Sequence, residues 1–118
     1  MQDLLCTTTS NIEGRTISRY LGVVSGHAIL GMNAVRDMFA NVRDMTGGHV
    51  VSYEKELVKA RDAATDMMAN YARGMGANAV IGIDMDFETM GKENGILMVV
   101  ASGTAVRYEE QKKDGNTF

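Results

Sequence analysis

Asp84, Asp86 and Glu88 are the densest set of groups in the chain that could do chemistry. The stretch around them, Ala79 to Glu88, reads as a strand. Alternation then places the three carboxylates on one face, in steps of about 7 Å. Oxygen donors suit hard cations such as Ca²⁺ or Mg²⁺ rather than soft heavy metals. The same pattern fits a solvated strand end, or acids paired with Arg36, Arg43 or Arg107. Soft donors are few: Cys6, His27 and His49. A thiolate and two imidazoles would suit a soft or borderline metal, but their spacing follows no zinc pattern. His27 lies on a strand beside Gly26, where a structural histidine is the plainer reading. His49 follows Gly47 and Gly48 in what reads as a glycine-rich loop. Cys6 is near the N-terminus, where a site shared between subunits is conceivable. Of the 10 methionines, Met38, Met45, Met67, Met75, Met85 and Met98 nearly all fall on apolar stripes. That placement fits core packing better than copper binding.

No nucleophile–base pair accompanies these residues, so the chain does not read as an enzyme. The stretch Gly74–Gly82, GMGANAVIG, has the glycines of a nucleotide loop in the wrong context. A dinucleotide fingerprint follows a strand and opens a helix, whereas this one closes a helix and opens a strand. A net charge of −3, with arginines interleaved among acids, gives no footprint for nucleic acid. A single cysteine excludes an intrachain disulfide and a CxxC site. The longest apolar run, Ile96 to Ala101, is too short to span a membrane. No basic and apolar leader is visible, so a cytoplasmic protein is the expectation.

The elements that must position these residues are legible from periodicity. Leu4–Thr9 reads as a short strand and Asn11–Gly14 as a turn. Ile17–Leu30 reads as a longer strand, with Gly22 and Gly26 on one face. Glycines there point to a bulge or to close approach of a helix, a subunit or a ligand. Asn33–Met45 reads as a helix ended by Gly47 and Gly48. A second helix is predicted from an N-cap at Ser52 to Gly74. Its apolar stripe is Tyr53, Leu57, Ala60, Ala64, Met67 and Tyr71, widened by Met68, Ala72 and Met75. In the next strand Ala79, Ile81, Ile83, Met85 and Phe87 are expected to take the helix. Val80, Gly82 and the three acids form the other face. Thr89–Asn94 reads as a turn and Ile96–Tyr108 as the second arm of a hairpin. That arm is apolar or small on both faces, as a central strand requires.

This order gives an α+β chain, a three-stranded βαββ sheet of order 1-3-2 with helices on one face, plus a short N-terminal strand. Residues 1–108 form one domain and residues 109–118 a polar, frayed tail. The face away from the helices keeps apolar residues, which implies an interface and a homo-oligomer closed so that no edge is exposed. The short N-terminal strand is a candidate for pairing with a neighbour.

The stretches Gly22–Gly31, Arg36–Gly48, Tyr53–Arg61, Gly76–Glu88 and Ser102–Val106 resemble the YbjQ-like family, described as heavy-metal-binding. The resemblance runs in order over roughly residues 5 to 108. It implies a dodecin-like βαββ subunit assembled into a homopentamer. Asn78 and Phe87 depart from it, where Asp and Tyr are expected.

Two functions follow as expectations. One is an oligomer that binds a heavy metal or small ligand at subunit interfaces. It would use Asp84, Asp86 and Glu88, or, as a poorer fit, Cys6, His27 and His49. A metal ion is then the cofactor and the chain its own partner. The other is a structural or interaction module, a pentameric platform without chemistry of its own.

Overall fold

A computed structural model describes residues 4–30, 47–90 and 96–110. The elements are β1 (Leu5–Cys6), β2 (Arg15–Leu30), α1 (Gly47–Gly74), β3 (Ala79–Met90) and β4 (Ile96–Glu110). The strands make one mixed sheet of order β1-β3-β4-β2. Among the described residues it therefore has four strands, not three. The short N-terminal strand, a candidate for pairing with a neighbour, pairs parallel with β3 of its own chain, Leu5 against Ala79 and Cys6 against Val80. β4 is antiparallel to both flanking strands, so β2 and β3 run parallel and α1 lies on the connection between them.

α1 starts at Gly47, five residues before the expected N-cap at Ser52. Gly47, Gly48 and His49 are thus helical and not a loop. The helix expected over 33–45, with Arg36, Arg43, Met38 and Met45, lies outside the described residues. α1 ends in a Schellman motif: the Ala77 amide donates to the Ala72 carbonyl at 3.0 Å, and the Gly76 amide to Arg73 at 3.0 Å. Gly76 adopts φ +87°, the left-handed conformation that glycine tolerates at this position. The Arg107 guanidinium donates to the Gly76 carbonyl at 3.0 Å, a cation at the negative end of the helix.

The buried stripe of α1 is Ala60, Ala64, Met68 and Ala72, packed against Val24, Val80, Val99, Ala101 and Ala105. It is rotated from the expected stripe: Met67 is half-buried, and Tyr71 and Met75 are exposed. The reason is proximity. Alanines on the helix meet Gly26 on β2, and the helix backbone comes close enough to the sheet that larger side chains are pushed to the flanks. Of the methionines among the described residues, only Met68 is fully buried within this core.

β3 changes face partway along. Ile81 opposes Thr104 and Asp84 opposes Ser102, so Gly82 and Ile83 together face Gly103. This is a β-bulge with Gly82 at φ +62°. The Gly82 and Ile83 amides both turn outward, to the Thr9 and Thr7 carbonyls at 2.8 and 3.1 Å. The expected single face of Ala79, Ile81, Ile83, Met85 and Phe87 is accordingly split. Val80, Ile83 and Met85 pack under the helix. Ala79 and Ile81 pack on the other side with Ile12 and Val106, a second small core extended by Leu5, Ile17 and Tyr108.

Strand ends also differ from expectation. Thr89 and Met90 continue β3 rather than opening a turn. Glu109 and Glu110 continue β4, paired with Thr16 and Arg15. Arg15 reaches Glu110 at 3.6 Å and stacks over the Tyr108 ring.

Candidate functional site

The bulge at Gly82 sets the face of the three acids. Beyond it, β3 is in phase with β4, so Asp84, Asp86 and Glu88 stand opposite Ser102, Val100 and Met98. Those same β4 residues stand opposite Ser25, His27 and Ile29 of β2. Three rows therefore cross the sheet on the side away from α1: Asp84–Ser102–Ser25, Asp86–Val100–His27 and Glu88–Met98–Ile29. His27 and Asp86 are two strands apart, about 10 Å. Val23 and Ile29 on this side are 82% and 58% exposed.

The acids are all exposed, and among the described residues no ion pair engages them. Arg107, one of their expected partners, is committed to the end of α1. Their electrostatics is mutual. The Asp86 carboxyl is pushed above the usual carboxylate range, first by the charge of Asp84, then by desolvation, by a hydrogen bond with Asp84 and by Glu88. A strand of like charges at alternate positions favours either a proton or a cation between them.

The soft donors do not come together. Cys6 pairs with Val80 and lies on the helix side, on the strand farthest from β2. Its thiol is pushed up, chiefly by burial; Arg73 opposes this and Asp66 adds to it. His27 is exposed on the opposite face, and its backbone amide donates to Met67 Sδ at 3.4 Å. His49 is in the first turn of α1, about 26 Å along the helix from Asp66. The structure therefore does not bring Cys6, His27 and His49 together within one copy. Among the described residues no group of three or more His, Cys, Asp or Glu side chains is arranged to hold a metal within a single chain. Among them, too, no helix is long and apolar enough to cross a membrane.

Asn78 carries structural weight that the sequence pattern did not single out. It is buried, its amide donates to the Tyr108 carbonyl at 3.0 Å, and its oxygen accepts from the Tyr108 amide at 2.8 Å. The side chain thus acts as one more rung of the β3–β4 ladder. Its position between a Schellman glycine and a strand is the signal that points to such a role.

Comparison with known proteins agrees with this architecture. A crystal structure of a protein of unknown function from Pediococcus pentosaceus, of the DUF74 family, is similar with a TM-score of 0.61. The match covers 90% of this chain and 98% of that one at 18% identity, a likeness of fold. A family model described as "Putative heavy-metal-binding" matches residues 4–109. With nearly the whole described chain matched in this way, the protein belongs to the YbjQ-like family.

Proposed function

We propose that this protein is a cytoplasmic homo-oligomer that binds a metal ion at the interface between copies, on the sheet face that carries Asp84, Asp86 and Glu88. One observation carries the reading: three exposed, mutually repelling carboxylates share the sheet face away from α1 with Val23 and Ile29, which are exposed among the described residues. The acids supply oxygen ligands, and the apolar residues supply surface that a second copy would remove from water. The family description points to a heavy metal, and the pentamer implied by the family resemblance would repeat the acids around an axis. A cation shared by carboxylates from several copies needs no complete ligand set within one chain. Titration of the purified oligomer with a panel of soft and hard metals tests this, read by native mass spectrometry and by the stability gained on binding. Retention of an ion that is lost in Asp84→Asn, Asp86→Asn and Glu88→Gln supports it. No retained ion across the panel rejects the metal reading.

A second reading, a platform whose function lies in a partner, is favoured by a different observation. Among the described residues no metal-ligating group of three converges within one chain. An oligomer that takes up no metal is the outcome that selects it.

A further inference from the structure

The loop that joins β1 to β2, Thr7 to Gly14, plays no part in the metal reading, and it lines a cleft. Backbone bonds pin its first half to β3. The Thr7 amide donates to the Val80 carbonyl at 3.0 Å, and the Thr7 and Thr9 carbonyls accept from the Ile83 and Gly82 amides of the bulge. A turn closes the second half. The Arg15 amide donates to the Ile12 carbonyl at 3.2 Å, with Gly14 at φ +79°, as glycine sits in a type II turn. Glu13 therefore stands at the first corner of that turn. The cleft has a volume of about 520 Å³, within the range of small-molecule sites, and is lined by Leu5, Thr7, Thr9, Asn11, Ile12 and Glu13. Leu5 and Ile12 belong to the second small core, while Thr9, Asn11 and Glu13 are exposed.

The hydrogen bonds of the loop decide what the cleft can take. The Thr9 hydroxyl donates to the Asn11 carbonyl at 2.7 Å. Its one proton is then spent, so across the 2.9 Å contact between the two hydroxyls it is Thr7 that donates to Thr9. The Thr7 oxygen in turn accepts from the Thr9 amide at 3.2 Å. Neither hydroxyl has a proton left to offer, and each keeps acceptor capacity. The Glu13 carboxylate accepts only, and among the described residues no ion pair engages it. Arg15, the neighbouring cation, is taken by Glu110 and the Tyr108 ring. The Asn11 side chain accepts from the Ser10 hydroxyl at 3.4 Å, which leaves its amide as the one side-chain donor among the lining residues. An anion would meet that single donor and a like charge. A divalent metal ion would meet one carboxylate, too few for the hard cations that draw on six or more oxygens. An ammonium group would meet a carboxylate and two hydroxyl oxygens that can only accept.

We infer that this cleft binds a small primary amine, its ammonium held by Glu13 and the Thr7 and Thr9 oxygens and its short hydrocarbon part against Leu5 and Ile12. The N–H bonds to the carboxylate and hydroxyls are charge-assisted, the stronger class of hydrogen bond. The two apolar residues add burial of the hydrocarbon. Both features are needed for selectivity. A quaternary ammonium carries the charge but has no proton to donate, and a carboxylate of the same length carries the wrong charge. The site is separate from the acid stripe on β3, so it stands whether or not that stripe binds a metal.

Titration of the wild-type protein with n-butylamine, butyltrimethylammonium and butyrate at neutral pH tests it, read from amide NMR spectra. With n-butylamine, saturable shifts are expected at Thr7, Thr9, Asn11 and Glu13. Butyltrimethylammonium is expected to bind at least about tenfold more weakly, through loss of the charge-assisted hydrogen bonds, and butyrate to give no saturable shift in the loop. Glu13→Gln removes the charge from an exposed turn and is expected to weaken n-butylamine about tenfold. Glu54→Gln, at an exposed glutamate on α1, is expected to leave it unchanged. No saturable shift in the loop with n-butylamine overturns the inference. So does equal binding of the two cations, or an equal loss in Glu54→Gln, since either would reduce the effect to net charge. The comparison of the three ligands on the wild-type protein needs no variant to fold.

Discussion

Gly26 of β2 lies directly beneath Ala64 of α1: a Cβ on Gly26 would overlap the Ala64 carbonyl oxygen and stand 2.5 Å from the Met68 amide nitrogen. The obstacle is helix backbone, which cannot rotate aside as a flexible side chain could. Gly26→Ala is expected to lift the helix from the sheet and cost about 3 kcal/mol, at the upper end of overpacking effects. Urea denaturation measures it. A loss below about 0.5 kcal/mol would show that the helix gives way easily.

Gly82 presents the opposite case. Nothing lies within 4 Å of a Cβ placed there, so any penalty comes from φ +62° alone. Gly82→Ala is expected to cost about 1–2 kcal/mol, and Gly82→Asn less, because Asn tolerates the left-handed region better. Equal losses for the two variants would argue against a conformational origin.

The acid stripe makes a prediction about pH. The folded-state pKa of Asp86 is raised, chiefly by Asp84, so the native state holds that proton more tightly than the unfolded chain. Its contribution is favourable at low pH and is lost as pH rises through the folded pKa. Asp84→Asn should therefore bring the Asp86 midpoint down toward the ordinary carboxylate range. It should also raise the melting temperature at neutral pH, with the gain shrinking as the solution is acidified through the Asp86 titration. Carboxyl chemical shifts and thermal melts across pH read both. An Asp86 midpoint unmoved in the variant would assign the shift to desolvation instead.

Asn78→Ala removes two hydrogen bonds to Tyr108 at once. The Tyr108 amide and carbonyl lose their partner in a partly buried place, at a cost of about 1–3 kcal/mol. Faster hydrogen exchange at Tyr108 should accompany the loss of stability. Unchanged exchange there would mean that water replaces the side chain.

Much of the fold was legible in the sequence because it depends on period and punctuation. The 3.6-residue pattern from Leu57 to Ala72 marks α1, Gly76 marks its stop, and the two apolar faces of β4 mark a central strand between β2 and β3. What was not legible depends on a single extra residue or on tertiary contact. Gly82 shifts the phase of β3, so strict alternation assigns Val80 and Ile81 to the wrong sides while still placing the three acids together. An isolated glycine inside a strand was the available signal. The helix stripe was read some way off because the identity of the sheet residue beneath it, Gly26, decides which side chains fit. The pairing of β1 with β3 involves two residues and backbone bonds, which leave no pattern in side chains. Cys6, His27 and His49 show the limit from the other direction. Their chemistry suggested a set, and only the topology separates them.

Native mass spectrometry of the wild-type protein, before and after exposure to soft and hard metal ions, tests the central claim most directly. The expected result is a closed homo-oligomer that retains metal, with retention lost when Asp84, Asp86 and Glu88 are replaced by their amides. A monomer at every concentration, or an oligomer whose metal content is the same with and without the three carboxylates, would contradict it.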